Sequence, residues 1–303
     1  MEARLPALLP PDSHRPENVH RAMRAAVLSP GKRVRPMLAL ATAGMLGGPA
    51  DEVLDLACAV ELVHCCSLVL DDLPAMDDAR LRRGRPTLHL EFGEDVAILA
   101  AFAILNRGYA LVAEVAQRLR LSRYSSEDLL HHLTQAIGTS GLIGGQALDL
   151  ASGKAALALE DLEYIHSHKT GALFVAAAEL GAMASDARRR DLEAVAAFAK
   201  NLGLAFQIED DLLDVSASSD ETGKDSGQDV DRATFVKLLG VAGARALADE
   251  LLAFALASIA PFGRKADDLA LLVEVVRGHA IAPALPAPSR SPPTTAAGPA
   301  GDV

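Results

Sequence analysis

Tryptophan is absent from this 303-residue sequence, and aromatic residues make up only 4% of it. The β-branched and aromatic runs that are typical of strands are nearly missing as well. Half of the residues are apolar, and alanine and leucine, both good helix formers, dominate them. This composition predicts an all-α fold with ample material for a core.

The sequence also lacks an excess of positive charge, since its net charge is −11. Phosphate backbones are bound mainly by basic surfaces, so we expect no nucleic-acid partner. Prolines near the start interrupt any signal-peptide core. No uncharged apolar run reaches the roughly 18 residues that span a bilayer, so we expect no transmembrane segment.

Three cysteines, Cys58, Cys65 and Cys66, are crowded into one predicted helix. Their number is odd, and their spacing fits neither a zinc site nor a disulfide framework. We therefore expect small, reduced core residues in a cytoplasmic protein.

A chain of this length could form one large or two ordinary domains. No linker-like stretch precedes the C-terminal region, which favours a single helical domain over residues 1–280. Proline, alanine, serine and threonine dominate residues 281–303, a composition that predicts a disordered tail. Gly93 to Val112 and Asp128 to Ile137 are apolar nearly all round, which predicts helices buried in a bundle or at a subunit interface.

An acidic cluster follows a long apolar segment near residue 70, and a basic cluster comes directly after it. The aspartates are Asp71, Asp72, Asp77 and Asp78, and the arginines are Arg80, Arg82, Arg83 and Arg85. The aspartates could form a solvated helix end, or they could hold hard divalent cations such as Mg²⁺. Because guanidinium groups suit bidentate phosphate contacts, the combination indicates a Mg²⁺–diphosphate site.

A second acidic cluster lies far downstream, at the end of another apolar helical pattern. Asp210 and Asp214 project from one helix face, with Asp211 between them. Like charges at this spacing destabilise a helix unless a cation compensates them. Two acidic motifs, each followed by basic residues, predict a functional metal site.

Lys32, Arg33 and Arg35 precede a further apolar helix that is predicted to run from Met37 to Met45. Basic residues are unfavourable at a helix N-terminus unless an anion binds there. This cluster is therefore either a solvated turn or an anion site.

These motifs resemble the trans-prenyltransferases, the head-to-tail isoprenyl diphosphate synthases, over Gly31 to about Gly240. The first aspartate-rich motif of that family reads here as DDLPAMD, with two extra residues, and the second as DDLLD. The strings GKRVRP, ELVH, RRGRPT, GGQALDL, HKTGALF and FQIEDD also stand in the family's order.

The resemblance implies an isoprenoid synthase fold, a bundle of about ten or more antiparallel helices around a central apolar cavity. It implies Mg²⁺-dependent condensation of isopentenyl diphosphate with an allylic diphosphate: dimethylallyl, geranyl or farnesyl diphosphate. It further implies about three Mg²⁺ ions per active site, with Mn²⁺ as a substitute, and a homodimer.

The resemblance also assigns roles to individual residues. The metal ligands are Asp71, Asp77, Asp210 and Asp214, assisted in catalysis by Asp72, Asp211 and Lys169. The isopentenyl diphosphate ligands are Lys32, Arg35, His64 and Arg83, with Arg33 as a helper. The allylic diphosphate ligands are Arg82, Lys169, Thr170, Gln207 and Lys224, with Gln146 and Asp149 as supporting candidates.

Two features depart from the family's pattern. Arg232 replaces a phosphate-binding lysine, and the two side chains are not interchangeable. The basic residues that often close the family's active site are not evident in the C-terminal region.

Product length is expected to depend on Cys66 and Ser67, because Cys66 lies five positions before Asp71, about one and a half helical turns below the metals. Short-chain C15 synthases of the bacterial type commonly have an aromatic ring there. The resemblance therefore implies a C20 product, geranylgeranyl diphosphate, with C15 and C25 products as alternatives.

Two other functions share part of this pattern. A class I terpene synthase would carry Asn, Ser and Glu in its second metal motif, whereas this motif is all aspartate. A non-catalytic subunit of a heteromeric prenyl synthase generally lacks an intact aspartate motif, whereas both motifs are complete here.

Overall fold

The computed structural model describes residues 1–153, 157–216 and 233–278. The α-helices are α1 (Leu5–Leu8), α2 (Glu17–Val27), α3 (Val34–Leu46), α4 (Ala50–Asp71), α5 (Leu88–Phe92), α6 (Glu94–Arg118), α7 (Ser126–Ile137), α8 (Leu142–Ser152), α9 (Leu159–His166), α10 (Ala172–Ala184), α11 (Arg189–Ser216), α12 (Phe235–Ile259) and α13 (Asp267–Arg277). A π-helical turn (Ser167–Gly171) joins α9 to α10, and a 3-10 segment (Ala260–Ala266) joins α12 to α13. The prediction of an all-α bundle is confirmed.

Helix α4 lies at the centre of the bundle and ends at the first aspartate motif. It packs against α3, α6 and α10, as expected for a helix that is apolar on all sides. Asp51 and Glu52 lie in its first turn, where the helix dipole favours negative charge. The burial of α4 therefore fixes the place at which Asp71 emerges.

Glycines allow two of these helix pairs to approach closely. A Cβ atom on Gly181 of α10 would lie 2.3 Å from the carbonyl oxygen of Ala39 in α3, which no side chain can tolerate. On α6, a Cβ atom on Gly108 would lie 3.4 Å from Val63 of α4. These contacts hold α3, α4, α6 and α10 at fixed distances around the site.

The two segments predicted to be apolar all round differ in the structure. Helix α7 buries a single face, formed by Leu129, Leu133 and Ile137, so that prediction was wrong for α7. Ser125 caps the N-terminus of α7, because its hydroxyl accepts a hydrogen bond from the Asp128 backbone N–H. Helix α6 instead exposes apolar side chains, which bear on oligomerisation below.

Regular apolar spacing predicts a single helix from Leu159 to Ala184, but a π-helical turn interrupts it at Ser167–Gly171. The extra residue in a π turn rotates the side chains that follow it, and such turns are frequent at functional sites. Lys169 and Thr170 both lie in this turn. The interruption therefore gives them directions that regular helical spacing does not predict.

A short hairpin carries the arginine cluster. Strands β1 (Leu81–Arg82) and β2 (Arg85–Pro86) pair antiparallel, with Arg82 opposite Arg85. Arg83 and Gly84 form the turn with φ angles of 53° and 72°. Positive φ at both central positions is the geometry of tight two-residue hairpins. The turn directs the two side chains to different partners, Arg82 to Asp72 and Arg83 to Ser29.

By length and composition, three helical stretches of the described chain could cross a bilayer: α4, α6 and Phe235–Arg277. In the fold, 72% of the apolar window of α4 is buried, against 39% for α6 and 22% for Phe235–Arg277. The expectation that no segment spans a membrane stays a prediction.

Three of the predictions lie outside the described residues. These are the diphosphate ligand Lys224, the replacement at Arg232, and the disordered tail over residues 281–303. The single domain over residues 1–280 likewise stays a prediction.

We expect the ion pair between α7 and α10 to make stability depend on pH. His132 Nδ1 lies 2.9 Å from Glu179 Oε2, and this hydrogen bond raises the pKa of His132 above its ordinary value of 6.5. A raised histidine pKa stabilises the fold below pH 6.5, and this contribution disappears as the pH rises through the raised pKa. His132→Gln should therefore lower the free energy of unfolding at pH 6 by no more than about 1 kcal/mol.

Urea unfolding of the wild type and His132→Gln from pH 5.5 to 8.5 measures this difference. The difference in free energy of unfolding between the two proteins should disappear at high pH. A difference that does not change with pH would contradict a raised His132 pKa as its cause. His131→Gln, which changes the adjacent ring outside this ion pair, is the control.

Candidate active site

The first aspartate motif closes into a loop at the end of α4. Asp71 is the last helical residue, and the backbone N–H of Asp77 donates to the Asp71 carbonyl oxygen at 2.9 Å. The backbone N–H of Asp78 donates to the Leu73 carbonyl oxygen at 3.1 Å. The residues inserted between the two aspartates therefore fold back and bring Asp77 beside Asp71.

The Asp71 carboxyl lies in a strongly perturbed environment. Burial raises its pKa to about 6, and the neighbouring charges of Asp77 and Asp72 add to this effect, whereas Lys169 opposes it. A cation close to this carboxylate would offset both the cost of burying its charge and its repulsion by Asp77 and Asp72. The site therefore favours a bound cation at Asp71.

Asp72 points in another direction and pairs with the hairpin. Its Oδ1 accepts hydrogen bonds from Arg82 Nε at 2.9 Å and Arg82 Nη2 at 2.5 Å, and the carboxylate is 5% exposed. Although burial opposes the charged guanidinium, this contact holds the pKa of Arg82 above its ordinary value. In the structure Asp72 therefore fixes the position of Arg82.

The π-helical turn places Lys169 against helix α8. Lys169 Nζ pairs with the Asp149 carboxylate. Gly145 makes this packing possible, because a Cβ atom there would lie 2.2 Å from the Lys169 backbone nitrogen. A partly buried lysine needs an anion, and Asp149 provides one within the protein.

Beside Lys169 and Asp149, the Gln146 side chain is 8% exposed. Neither its oxygen nor its nitrogen has a hydrogen-bond partner among the described residues. A buried amide without a partner is costly, so it suits a polar ligand at this position.

A chain of hydrogen bonds links the π turn to the second aspartate motif. Thr170 Oγ1 donates to Gln207 Oε1 at 3.1 Å, and Gln207 Nε2 donates to Asp211 Oδ1 at 3.1 Å. Asp211 Oδ2 then accepts from the Phe235 backbone N–H at 2.9 Å. Asp211 is 6% exposed, so these contacts orient it towards the start of α12.

The other two aspartates of the second motif differ in exposure. Asp210 is half-buried and lies close enough to Arg35 to raise the pKa of its guanidinium, against the larger effect of burial. Asp214 is exposed near the end of α11. Asp210 therefore faces the basic part of the site, while Asp214 lies at its rim.

A basic pocket surrounds His64 on α4. Arg35 Nη1 donates to His64 Nε2 at 3.4 Å. The pKa of His64 is well below its ordinary value because the ring is buried and the charges of Arg35, Arg83, Arg82 and Arg33 surround it. A neutral histidine among four guanidinium groups marks a concentration of positive charge, which suits a diphosphate.

Arg83 closes this pocket from the hairpin. Its Nη1 donates to Ser29 Oγ at 3.1 Å, and its guanidinium covers Gly31, where a Cβ atom would lie 2.8 Å away. Arg35 of α3, His64 of α4 and Arg83 of the hairpin therefore converge, and Lys32 follows Gly31 directly in the chain.

Arg33 does not point into the pocket, so its prediction as a helper was wrong. It adopts a left-handed backbone conformation, with φ of 50°, and its guanidinium turns towards the core. There it pairs with Glu61 and donates to Glu2 Oε1 at 2.9 Å. Arg33 therefore anchors the segment that carries Lys32 and Arg35.

Cys66 lies on α4 below Asp71, at about 7.5 Å along the helix axis. It is 4% exposed, and burial, followed by the charge of Asp71, raises the pKa of its thiol to about 12. Ser67 donates its hydroxyl to the His64 carbonyl oxygen at 2.9 Å.

Sequence reasoning missed Tyr109 of α6, which lies near Cys66. Burial raises the pKa of Tyr109, and Cys66 adds to this effect. Gly108 packs on Leu62 and Val63 of α4, and side chains on a helix lean towards its N-terminus. The sequence carries no signal for this proximity, because it depends on the packing of α6 against α4.

The described carboxylates suit a Mg²⁺ ion that the protein holds together with the substrate phosphates. Within the described ranges, no three His, Cys, Asp or Glu side chains are grouped closely enough to hold a metal ion on their own. Mg²⁺ is typically bound by one or two carboxylates together with substrate phosphates and water. Asp71 and Asp77 supply hard oxygen donors of this kind beside the basic pocket.

Comparisons with known proteins agree with this arrangement. The family model for polyprenyl synthetase matches residues 16–253. The chain is 44% identical, over 239 residues, to a chloroplastic geranylgeranyl pyrophosphate synthase of Capsicum annuum. It is also 44% identical, over 241 residues, to geranylgeranyl pyrophosphate synthase 4 of Arabidopsis thaliana. Each match covers 78% of this chain and 64% of the relative, so the chain spans about two thirds of these proteins.

Solved structures share the fold. An FPP/GFPP synthase from Zymomonas mobilis superimposes with a TM-score of 0.82 at 32% identity, covering 91% of this chain and 94% of that one. A geranyltransferase from Helicobacter pylori, solved with magnesium and isoprenyl diphosphate, has a TM-score of 0.82 at 31% identity, covering 91% and 93%. With its two aspartate motifs and basic pocket in place, the chain belongs to the polyprenyl synthetase family.

Proposed function

We propose that this protein condenses isopentenyl diphosphate with an allylic diphosphate and releases geranylgeranyl diphosphate and inorganic diphosphate. The observation that carries the proposal is the meeting of acidic and basic groups above α4. Arg82 lies close to both the basic pocket and the aspartates. Its charge lowers the pKa of His64 and opposes the raised pKa of Asp71. Two phosphorylated substrates can therefore bind next to each other.

The acceptor, isopentenyl diphosphate, binds in the basic pocket formed by Lys32, Arg35, His64 and Arg83. This assignment is supported by the pocket's positive charge and by a neutral His64 that can hydrogen-bond a phosphate oxygen. Arg33 is excluded from it because its guanidinium is committed to Glu61 and Glu2.

The allylic diphosphate binds between the aspartate motifs and the π-helical turn. Lys169 and Arg82 supply positive charge beside Asp71, and Thr170 with Gln207 connects this region to α11. Lys224 belongs to the same proposal from sequence alone. The metal ligands that we propose are Asp71, Asp77, Asp210 and Asp214. Asp72 and Asp211 hold Arg82 and Gln207 in position.

In the proposed reaction, the C–O bond of the allylic diphosphate breaks and the diphosphate leaves with the electron pair. The allylic cation then adds to the double bond of isopentenyl diphosphate, and loss of a proton restores an alkene. The released diphosphate accepts that proton, as the family resemblance implies. Mg²⁺, with Mn²⁺ as a substitute and about three ions per site, would neutralise the charge that develops on the leaving diphosphate.

Product length follows from the groups below Asp71. Cys66 and Ser67 are small, so a growing prenyl chain can pass them. The C20 product is supported by the relatives in Capsicum annuum and Arabidopsis thaliana, which are geranylgeranyl pyrophosphate synthases. The Zymomonas mobilis protein is an FPP/GFPP synthase, which keeps C15 and C25 products as the second candidates.

Product analysis tests the proposal. Purified protein is incubated with Mg²⁺, isopentenyl diphosphate and each of dimethylallyl, geranyl and farnesyl diphosphate, and the products are dephosphorylated and separated. We expect the wild type to accumulate C20. Cys66→Tyr should stop at C15, because an aromatic ring at this position closes the passage, whereas Cys58→Ser, changed lower on the same helix, should leave the product unchanged.

The alternatives give distinct results. A wild-type product of C15 or C25 overturns the assigned length while keeping the reaction. A C20 product from Cys66→Tyr overturns the role of that position. A folded wild type that elongates no allylic substrate overturns the reaction itself.

We further propose a homodimer formed through α5 and α6. Leu90 of α5 and Leu99 and Phe102 of α6 are 51%, 56% and 62% exposed, and α5 packs against α6. Contiguous exposed apolar side chains mark interaction surfaces. Phe102→Asp should shift the mass measured by light scattering from dimer to monomer. Phe254→Asp, at a site 55% exposed on α12, is the matched control and should remain dimeric.

A cytoplasmic location completes the proposal. It is supported by Cys58, Cys65 and Cys66, which are buried free thiols, as in proteins of reducing compartments.

A further inference from the structure

The Arg35 guanidinium differs from those of its basic neighbours in the groups that surround it. Arg33 and Arg82 each pair directly with a buried carboxylate. Within the described part of the chain, Arg35 has no such pair, and its Nε atom is buried without a hydrogen-bond partner. Burial accordingly lowers the pKa of Arg35 to about 10, although the more distant charges of Glu61 and Asp210 oppose the effect.

Two aromatic rings lie beside the Arg35 guanidinium. The Arg35 guanidinium carbon lies 4.6 Å from the centre of the Phe174 ring on α10 and 6.0 Å from that of Phe206 on α11. The two rings are 5.4 Å apart and tilted by 47°. Both distances lie within the range in which the negative face of a ring attracts a cation.

The Phe174 ring has little freedom to move. It is fully buried, and a Cβ atom on Gly203 of α11 would lie 3.1 Å from the ring. The close packing of α10 on α3 at Gly181 and Ala39 fixes the distance to Arg35 as well. The ring is therefore a rigid support for the guanidinium.

An aromatic support has a chemical advantage over a carboxylate at this place. A carboxylate occupies the N–H edge of a guanidinium and competes with a phosphate for it, whereas a ring binds the guanidinium face. The N–H groups of Arg35 that do not donate to His64 then remain available for a contact with a diphosphate.

We infer that Phe174 is a positioning residue for the acceptor substrate, because its ring holds the Arg35 guanidinium with the N–H edge directed to the diphosphate of isopentenyl diphosphate. This inference rests on the proposed function, which places that diphosphate at Arg35. Phe206 contributes less, since it lies farther from the guanidinium.

Steady-state kinetics of Phe174→Leu test the inference. We expect the KM for isopentenyl diphosphate to rise about tenfold, while kcat and the KM for farnesyl diphosphate change less than about twofold, because the ring lies against Arg35 of the acceptor pocket. Phe198→Leu is the matched control: Phe198 is also fully buried, on α11, but Arg35 does not lie over it. This variant should lose similar stability and keep both KM values.

Three results would overturn the inference: an unchanged KM for isopentenyl diphosphate in Phe174→Leu, an equal rise in both KM values, or the same rise in Phe198→Leu. Each would mean that Phe174 supports only the fold.

A second measurement separates this inference from the proposed function. Calorimetry with inorganic diphosphate in EDTA reports on the basic pocket, because no divalent cation can then bridge the ligand to the aspartates. If the wild type makes no product, the proposed function fails, yet about tenfold weaker diphosphate binding by Phe174→Leu still supports the role of the ring. Equal binding by the wild type and Phe174→Leu overturns it.

Discussion

Asp71→Asn is expected to abolish prenyl transfer and, in the absence of metal, to make the protein more stable. The loss of rate should be at least about a hundredfold to a thousandfold, the range seen when one preorganised group that stabilises developing charge is removed. The gain in stability has a separate cause: the folded protein disfavours the charged Asp71 carboxylate, which asparagine replaces with a neutral group of similar shape.

The sign and size of the stability change follow from the pKa of Asp71. Its folded value of about 6 lies above the ordinary 3.8, so the charged form is less stable in the folded state than in the unfolded chain. Each pKa unit corresponds to about 1.4 kcal/mol, which gives an upper limit of about 3 kcal/mol at pH 7. The penalty is present above pH 6 and absent below about pH 4.

Urea unfolding in EDTA from pH 4 to 8, together with product formation in Mg²⁺, measures both effects. The free energy of unfolding of Asp71→Asn should exceed that of the wild type at pH 7, and the curves should meet near pH 4. Asp12→Asn, which removes an exposed carboxylate, should change neither quantity. A destabilised Asp71→Asn protein would show that the fold stabilises the carboxylate, and retained activity would remove Asp71 from the metal site.

The helices and the order of the motifs could be predicted from the sequence, because apolar spacing and aspartate clusters are local patterns. Apolar spacing predicts helix α4 from Asp51 to Leu70, and it is observed as Ala50–Asp71. Pro74 interrupts the helical pattern inside the first motif and predicts a bulge there, and the hydrogen bond between the Asp77 and Asp71 backbones closes this loop.

Side-chain direction could not be predicted where the backbone leaves regular geometry. Arg33 has the same charge as its neighbours Lys32 and Arg35, but its left-handed conformation turns it to the core. Lys169 lies in a π turn, which shifts it relative to regular helical spacing. Neither conformation has a signature in the residues themselves.

Tertiary partners were the other missing information. Asp211 belongs to a metal motif by sequence, yet its carboxylate accepts hydrogen bonds from Gln207 and from the start of α12. Tyr109 and Phe174 are ordinary core residues by pattern, and only the packing of α6 on α4 and of α10 on α3 brings them to Cys66 and Arg35.

Glu61→Gln should destabilise the protein by about 3 kcal/mol, because it leaves a buried guanidinium without its main counter-charge. Glu61 and Arg33 are 2% and 8% exposed at their side chains, and they pair directly. Although burial opposes the charged form, Glu61 raises the pKa of Arg33. Glutamine keeps the shape and a hydrogen-bond acceptor, so the loss reports mainly on charge.

The chain provides a matched control on the same guanidinium. Glu2 accepts from Arg33 Nε at 2.9 Å, but its side chain is 68% exposed. An exposed ion pair contributes at most about 1 kcal/mol, so Glu2→Gln should lower the free energy of unfolding far less than Glu61→Gln. Equal losses in the two variants would show that burial of the pair does not determine its contribution.

Glu61→Gln should also weaken binding in the acceptor pocket. Arg33 also donates to the carbonyl oxygens of Val27 at 3.1 Å and Ser29 at 2.8 Å, and so it ties the end of α2 to the segment that carries Lys32 and Arg35. With this anchor weakened, the KM for isopentenyl diphosphate should rise in Glu61→Gln, while the KM for farnesyl diphosphate should stay within about twofold. If stability falls and both KM values stay unchanged, the Arg33–Glu61 pair supports the core without positioning the acceptor.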